Sequence, residues 1–213
     1  MSHARTLPGE KPITIDAPRW QDALPAGAWP AGFAETGSAT RADVFEVAAR
    51  WQDSSASAMQ LAAASLAWGY GVRGYGRYRT RRVLAQDSAG ALLAGALENL
   101  RPAEVTPDAL IDAYDRFRSA HRLHGLGPAF FTKILYFAGY RHERAALQPL
   151  ILDSVVAGRL PAEAGPANQY RYGWSSSTWH GYLRWAHEQA ARPEFGNQPD
   201  HVELSLFAGS WIP

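Results

Sequence analysis

Lys133 stands in the middle of the apolar run FFTKILYF, and Asp153, the only acid in PLILDSVVAGRL, follows it by 20 residues. These two residue types do chemistry together. A lysine held in an apolar helix has its ammonium disfavoured by desolvation, which makes a neutral amine available as a nucleophile. A carboxylate nearby stabilises positive charge developing on a reacting centre, or aligns the attacking group. Composition sharpens the case for the lysine: of 21 basic residues, the only other lysine is Lys11, in the polar N-terminal segment. The alternative is a buried ion pair with no catalytic part. Such a pair is often no more stable than an apolar replacement, so it tends to be kept for another reason.

Three further groups of residues accompany the pair. His124-Gly125-Leu126-Gly127 separates two amphipathic segments in the form of a helix-hairpin-helix, with Thr106 capping the first helix and Pro128 opening the second. Its glycines permit a tight turn and close approach of backbone to a ligand, and amides at the start of the next helix would face an anion. A purely structural hairpin is the alternative. Upstream, GYGVRGYGRYRTRR interleaves Tyr75 and Tyr78 with Arg73, Arg77, Arg79, Arg81 and Arg82 beside Trp68. Guanidinium forks can hold phosphates while an aromatic stacks on or wedges beside a displaced base. A flexible loop with a solvated basic helix start would read the same way. Near the C-terminus, Glu203 and Phe207 are spaced to share one helix face. An ordinary amphipathic helix would put Phe207 in the core and Glu203 in solvent.

The elements that must position these groups are helical. Residues 1–40 hold five prolines and several glycines and are expected to form an irregular arm; residues 41–213 are expected to form one helical domain, with the hairpin at 121–140 and the aspartate segment at 149–160. RADVFEVAARWQD and ASAMQLAAASLAW repeat apolar residues at three- and four-residue spacing, and a further helix is expected from about 81 to 98. Two more follow in TWHGYLRWAHEQAA and PDHVELSLFAG. Alternating strand patterns and long repeats are absent, so the fold class is all-α.

A chain of 213 residues with 46% apolar and 19% charged residues can bury a large core. It has no cysteine, which excludes disulfides, zinc thiolates, iron–sulfur clusters and thiol nucleophiles. The histidines, among them the pairs His121 and His124, and His180 and His187, show no metal-ligand pattern, so no metal is expected. A net charge of +1 makes any nucleic-acid surface a local patch. No apolar run approaches the length of a membrane span, and a cytoplasmic protein is expected.

LHGLGPAFFTKILYFAG followed by PLILDSVVAGRL resembles the signature of the helix-hairpin-helix DNA glycosylase superfamily that includes the 8-oxoguanine DNA glycosylases. WGYGVRGYGRYRT and PDHVELSLF extend the resemblance, more loosely, to a bacterial group with the 8-oxoguanine glycosylase fold. The resemblance implies two packed helical lobes and a monomer acting on double-stranded DNA with a flipped-out base, in the nucleoid. It implies excision of a damaged purine, 8-oxoguanine or similar, with Lys133 and Asp153 catalytic and a Schiff base permitting strand cleavage. Gly125, Leu126, Gly127, Arg77 and Arg79 would hold the DNA backbone. Trp68, Tyr75, Tyr78, Glu203 and Phe207 would form the base pocket or wedge. It implies no cofactor, with room at most for a structural monovalent cation at the hairpin. One departure stands out: where the bifunctional enzymes have their lysine, two residues after the second hairpin glycine, this chain has Ala129, with Lys133 one turn further on. A non-catalytic DNA-binding protein that kept the hairpin is the rival implied by that departure.

Overall fold

The computed structural model describes residues 7, 10–72, 74–141, 146–169 and 172–212. Helices dominate, and the sole strand pairing among the described residues is a two-residue antiparallel contact of β1 (Ile13–Thr14) with β2 (Ser38–Ala39). The chain divides into two compact units: Met1–Glu98 with Phe117–Leu126, and Asn99–Arg116 with Gly127–Pro213.

In the first unit, α3 (Ser55–Tyr70) is the central element. Ser54 caps it by accepting the Ser57 N–H, its alanines favour helix, and it buries Ala58, Met59 and every residue from Leu61 to Ala67. It packs on α2 (Arg41–Ala48), α4 (Tyr75–Leu84) and α5 (Ala91–Leu97). A capping box between Thr40 and Asp43 starts α2. The single helix expected over about 81–98 is instead α4 and α5. They are divided at Gly90, whose φ of +71° is left-handed and where a Cβ would lie 2.0 Å from the Ser55 carbonyl oxygen, so the break is held by a backbone contact that only glycine permits.

The N-terminal arm expected to be irregular carries β1, β2 and α1 (Ala17–Ala23). Its prolines serve as helix starts and turns: Asp16 caps α1 and Pro18 lies in the first turn. Trp20 is fully buried, stacks on Trp29 at 6.3 Å, and donates its indole N–H to the Gly71 carbonyl. The buried indole ties the arm to the end of α3.

In the second unit, α6 (Pro107–Arg118), whose last two residues belong to the first unit, leads into the hairpin, and α7 (Pro128–Gly139) follows. Every residue of α7 from Phe131 to Gly139 is buried, as expected of a helix apolar all round. Tyr114 packs edge-on against Phe131 at 4.8 Å and stacks on Trp179 at 5.1 Å. After α7 come the four-residue α8 (Ser154–Ala157), α9 (Ser176–Ala190) and α10 (Pro199–Ala208). α10 packs on both α8 and α9.

Candidate active site

Residues 150–152 are buried and belong to no helix or strand, so their backbone groups need other partners. The Leu150 carbonyl accepts the Trp179 indole N–H at 2.9 Å. Thr132 serves Leu152: its hydroxyl accepts the Leu152 N–H at 3.1 Å and donates to the Pro128 carbonyl at 2.7 Å, with the Leu152 carbonyl at 3.4 Å. Thr132 and Leu152 are each the residue before a member of the Lys133 and Asp153 pair. The hydroxyl therefore sets the register that brings lysine to carboxylate.

Lys133 Nζ donates to Asp153 Oδ2 at 2.9 Å, with side-chain exposures of 7% and 16%. It also donates to the Ala129 carbonyl at 3.0 Å and lies 5.8 Å from the Phe130 ring centre. Side chains on a helix lean toward its N-terminus. The amine therefore reaches back one turn, to the carbonyl of Ala129. The expectation of an isolated ammonium is modified, because a carboxylate and a carbonyl both accept from it.

Asp153 is also the N-cap of α8, its Oδ1 accepting the Val155 and Val156 N–H groups at 3.0 and 3.1 Å. Burial pushes its carboxyl up, but the Lys133 ammonium, followed by the hydrogen bonds to Lys133, Val156 and Val155, outweighs burial and holds it below the usual carboxylate range. The site thus keeps a charged carboxylate beside an amine in a nearly dry setting.

The hairpin turn differs from its expected use in one respect. Gly125 has φ +90°, which requires glycine. Leu126, expected to offer its backbone to a ligand, donates its N–H to the Leu123 carbonyl at 3.1 Å and buries its side chain. Phe130 and Phe131 both donate to the Gly127 carbonyl, and Pro128 has no N–H. Among the described residues, the Gly125, Gly127 and Ala129 amides have no backbone acceptor outside the helices. At Gly127 φ is −85° and a Cβ would meet nothing within 4 Å, so neither backbone nor packing requires glycine there.

In the first unit, Tyr75 and Tyr78 are 80% and 58% exposed on α4. Arg79, Arg81 and Arg82 are exposed, Arg77 is half-buried, and Arg82 lies over the Tyr78 ring at 5.7 Å. Arg73 lies outside the described residues. Trp68 differs from its expected role: it is half-buried and the Arg41 guanidinium covers its ring at 5.3 Å, which occupies one stacking face.

In the second unit, α10 reverses the ordinary amphipathic arrangement: Glu203 is 1% exposed and Phe207 47% exposed. The reversal leaves an aromatic free to stack and keeps the carboxylate inside. Glu203 is therefore not a solvent-facing reader of a base edge. The helix is anchored at both ends. Buried Asp200 accepts the phenol protons of Tyr140 at 2.7 Å and Tyr136 at 3.1 Å, both on α7 or its cap, and burial followed by the Asp200 charge pushes the Tyr140 phenol upward. Arg159 donates to the Leu206 carbonyl at 2.7 Å and to that of Phe207.

Thr132, Asp200 and Arg159 were not expected to contribute. Thr132 had one signal, its place beside Lys133; the others pair residues 47 to 64 positions apart, which local patterning does not reveal.

Among the described residues, no group of His, Asp or Glu is arranged to hold a metal, and no helix is long and apolar enough to cross a membrane. No curated protein and no solved structure matches the chain. A family model, OGG, described as "Putative 8-oxoguanine DNA glycosylase OGG-like protein", matches residues 6–207. With a glycine hairpin, a lysine and its carboxylate within that span, the chain belongs to the OGG-like family.

Proposed function

We propose that this protein is a DNA glycosylase that excises an oxidised or otherwise modified purine from double-stranded DNA in the cytoplasm, acting as a monomer on a flipped-out nucleotide. The observation that carries the reading is the 2.9 Å contact of Lys133 with Asp153 on the helix that follows the hairpin. Asp153 lies within reach to take a proton from the ammonium. The neutral amine then attacks C1′, and the electron pair of the C1′–N bond leaves with the base, which recovers the proton. Loss of the second amine proton and opening of the sugar ring give the Schiff base. Abstraction of a C2′ proton then breaks the C3′–O bond and releases the 3′ phosphate. Once the proton has passed to the departing base, the Asp153 carboxylate stabilises positive charge on the sugar.

The chemistry needs no cofactor. Two carbonyls of the hairpin, those of Leu123 and His124, already accept protein N–H donors, and no step is assigned to an ion there. In the first unit the Gly125 amide, Arg77 and Arg79 would hold phosphates and Tyr75 or Tyr78 would wedge the duplex; in the second, the Gly127 and Ala129 amides would hold phosphates and Phe207 would stack on a base. A panel of purine-lesion duplexes, scored with and without alkali, tests the reading because it separates base release from strand cleavage. Release from at least one lesion is expected. Binding to duplex without release from any would favour the non-catalytic DNA-binding protein.

Two variants follow from the geometry. Gly127→Leu should leave the fold intact, since the site is open, yet weaken binding to every duplex alike by about tenfold, equivalent to one charge-assisted hydrogen bond to phosphate. A loss confined to one lesion, measured by fluorescence anisotropy, would contradict a phosphate role. Thr132→Val should slow single-turnover excision by about 10- to 100-fold with unchanged affinity, because Asp153 is misplaced against Lys133. Thr132→Ser keeps the hydroxyl and should restore the rate; equal loss in both variants would point to packing alone.

A further inference from the structure

The carboxamide of Gln86 uses both donors and its acceptor on backbone. Nε2 donates to the Arg82 carbonyl and to the His124 carbonyl, each at 2.9 Å, and Oε1 accepts the His124 N–H at 2.9 Å. The first bond is a helix cap. At the end of α4 the Gln86 N–H goes to Val83, which leaves the Arg82 carbonyl without its usual helical donor, and the side chain supplies one. The other two bonds pair with His124 as a neighbouring strand would, across 38 residues of sequence. A second contact lies alongside, because a Cβ at Gly125 would meet Val83 of α4 at 3.7 Å.

Gln86 is exposed, while Leu123 and Leu126 anchor the same turn in the core. Hydrogen bonds in water contribute little net stability, so the core holds the turn in place without Gln86. The orientation of the exposed His124–Gly125 segment is what the carboxamide can fix. That segment carries the free Gly125 amide, and α4 carries Arg79 and Arg82.

We propose that Gln86 is a positioning residue that locks the hairpin turn to α4, so that the turn amide and the α4 arginines grip DNA phosphates as one preorganised surface. The proposal rests on the DNA-binding part of the glycosylase reading. Without Gln86 the turn must be ordered at each binding event, which costs affinity and leaves the chemistry of the bound complex alone.

The test measures affinity for undamaged and lesion duplexes and single-turnover excision at saturating protein, for wild type, Gln86→Ala, Arg79→Ala and the double variant. Gln86→Ala should weaken binding to every duplex by about five- to tenfold with an unchanged saturated rate. Its effect should shrink once Arg79 is gone, since residues acting as a unit are not additive. Gln86→Glu, an acceptor without donors at neutral pH, should bind as weakly as Gln86→Ala and recover in acid as its carboxyl gains a proton to donate. Wild-type affinity in Gln86→Ala, or full additivity with Arg79→Ala, overturns the proposal alone. Failure of the wild-type protein to bind any duplex overturns the glycosylase reading as well.

Discussion

Asp153→Asn is expected to slow base release by about a thousandfold while DNA affinity changes little, because phosphate contacts carry most of the binding and a single charge carries the stabilisation of the sugar cation. Asparagine is nearly isosteric but can fill only half of the native role. Its carbonyl can accept from Val155 and Val156 or from Lys133, and in either orientation the amide group faces a donor. The variant should therefore melt somewhat lower, and rates are to be compared where both proteins are folded.

The pH dependence of that stability difference has a definite sign. The Asp153 carboxyl lies below its ordinary range in the folded protein, so its contribution is fully present above the unfolded value, near about 3.9. It is lost as pH falls through the lower folded value. Denaturation of wild type and Asp153→Asn across the acid range should thus show a gap that closes in strong acid. Undiminished excision by Asp153→Asn would remove the carboxylate from the mechanism.

Lys133→Gln should abolish trapping of a covalent protein–DNA adduct by borohydride and abolish alkali-independent strand cleavage, because both require a Schiff base. Glutamine is neutral and one atom shorter and leaves the buried Asp153 without its ion pair, so the variant is to be compared with wild type where both are shown to be folded by circular dichroism. If Asp153 instead activates water and Lys133 only lines the pocket, Lys133→Gln would keep base release visible after alkali and the wild type would not trap.

The all-α character, the helices from residue 41 and the hairpin were legible because helix periodicity, the Thr106 and Pro128 starts and the glycines are local signals. The Lys133–Asp153 pair was legible from two charges set in apolar runs. Other features were not local. The arm's prolines masked Trp20, whose burial organises residues 13–39. The division of α4 from α5 depends on the Ser55 carbonyl crowding Gly90, a contact across 35 residues. On α10 the spacing placed Glu203 and Phe207 on one face, but which of them turns inward is settled by anchors at Asp200 and Arg159. Leu126 read as a ligand-facing amide because spacing says nothing of a turn's internal hydrogen bonds.

The most direct measurement is release of free base from an 8-oxoguanine duplex by the wild-type protein in a single turnover, with borohydride present and the trapped peptide identified by mass. A Lys133–Asp153 glycosylase centre predicts released base together with an adduct on the peptide containing Lys133. Excision without an adduct would retire the Schiff base and leave Asp153 to activate water. A protein that binds the duplex yet releases no base from this or any other purine lesion would contradict the assignment of Lys133 and Asp153 as a catalytic centre.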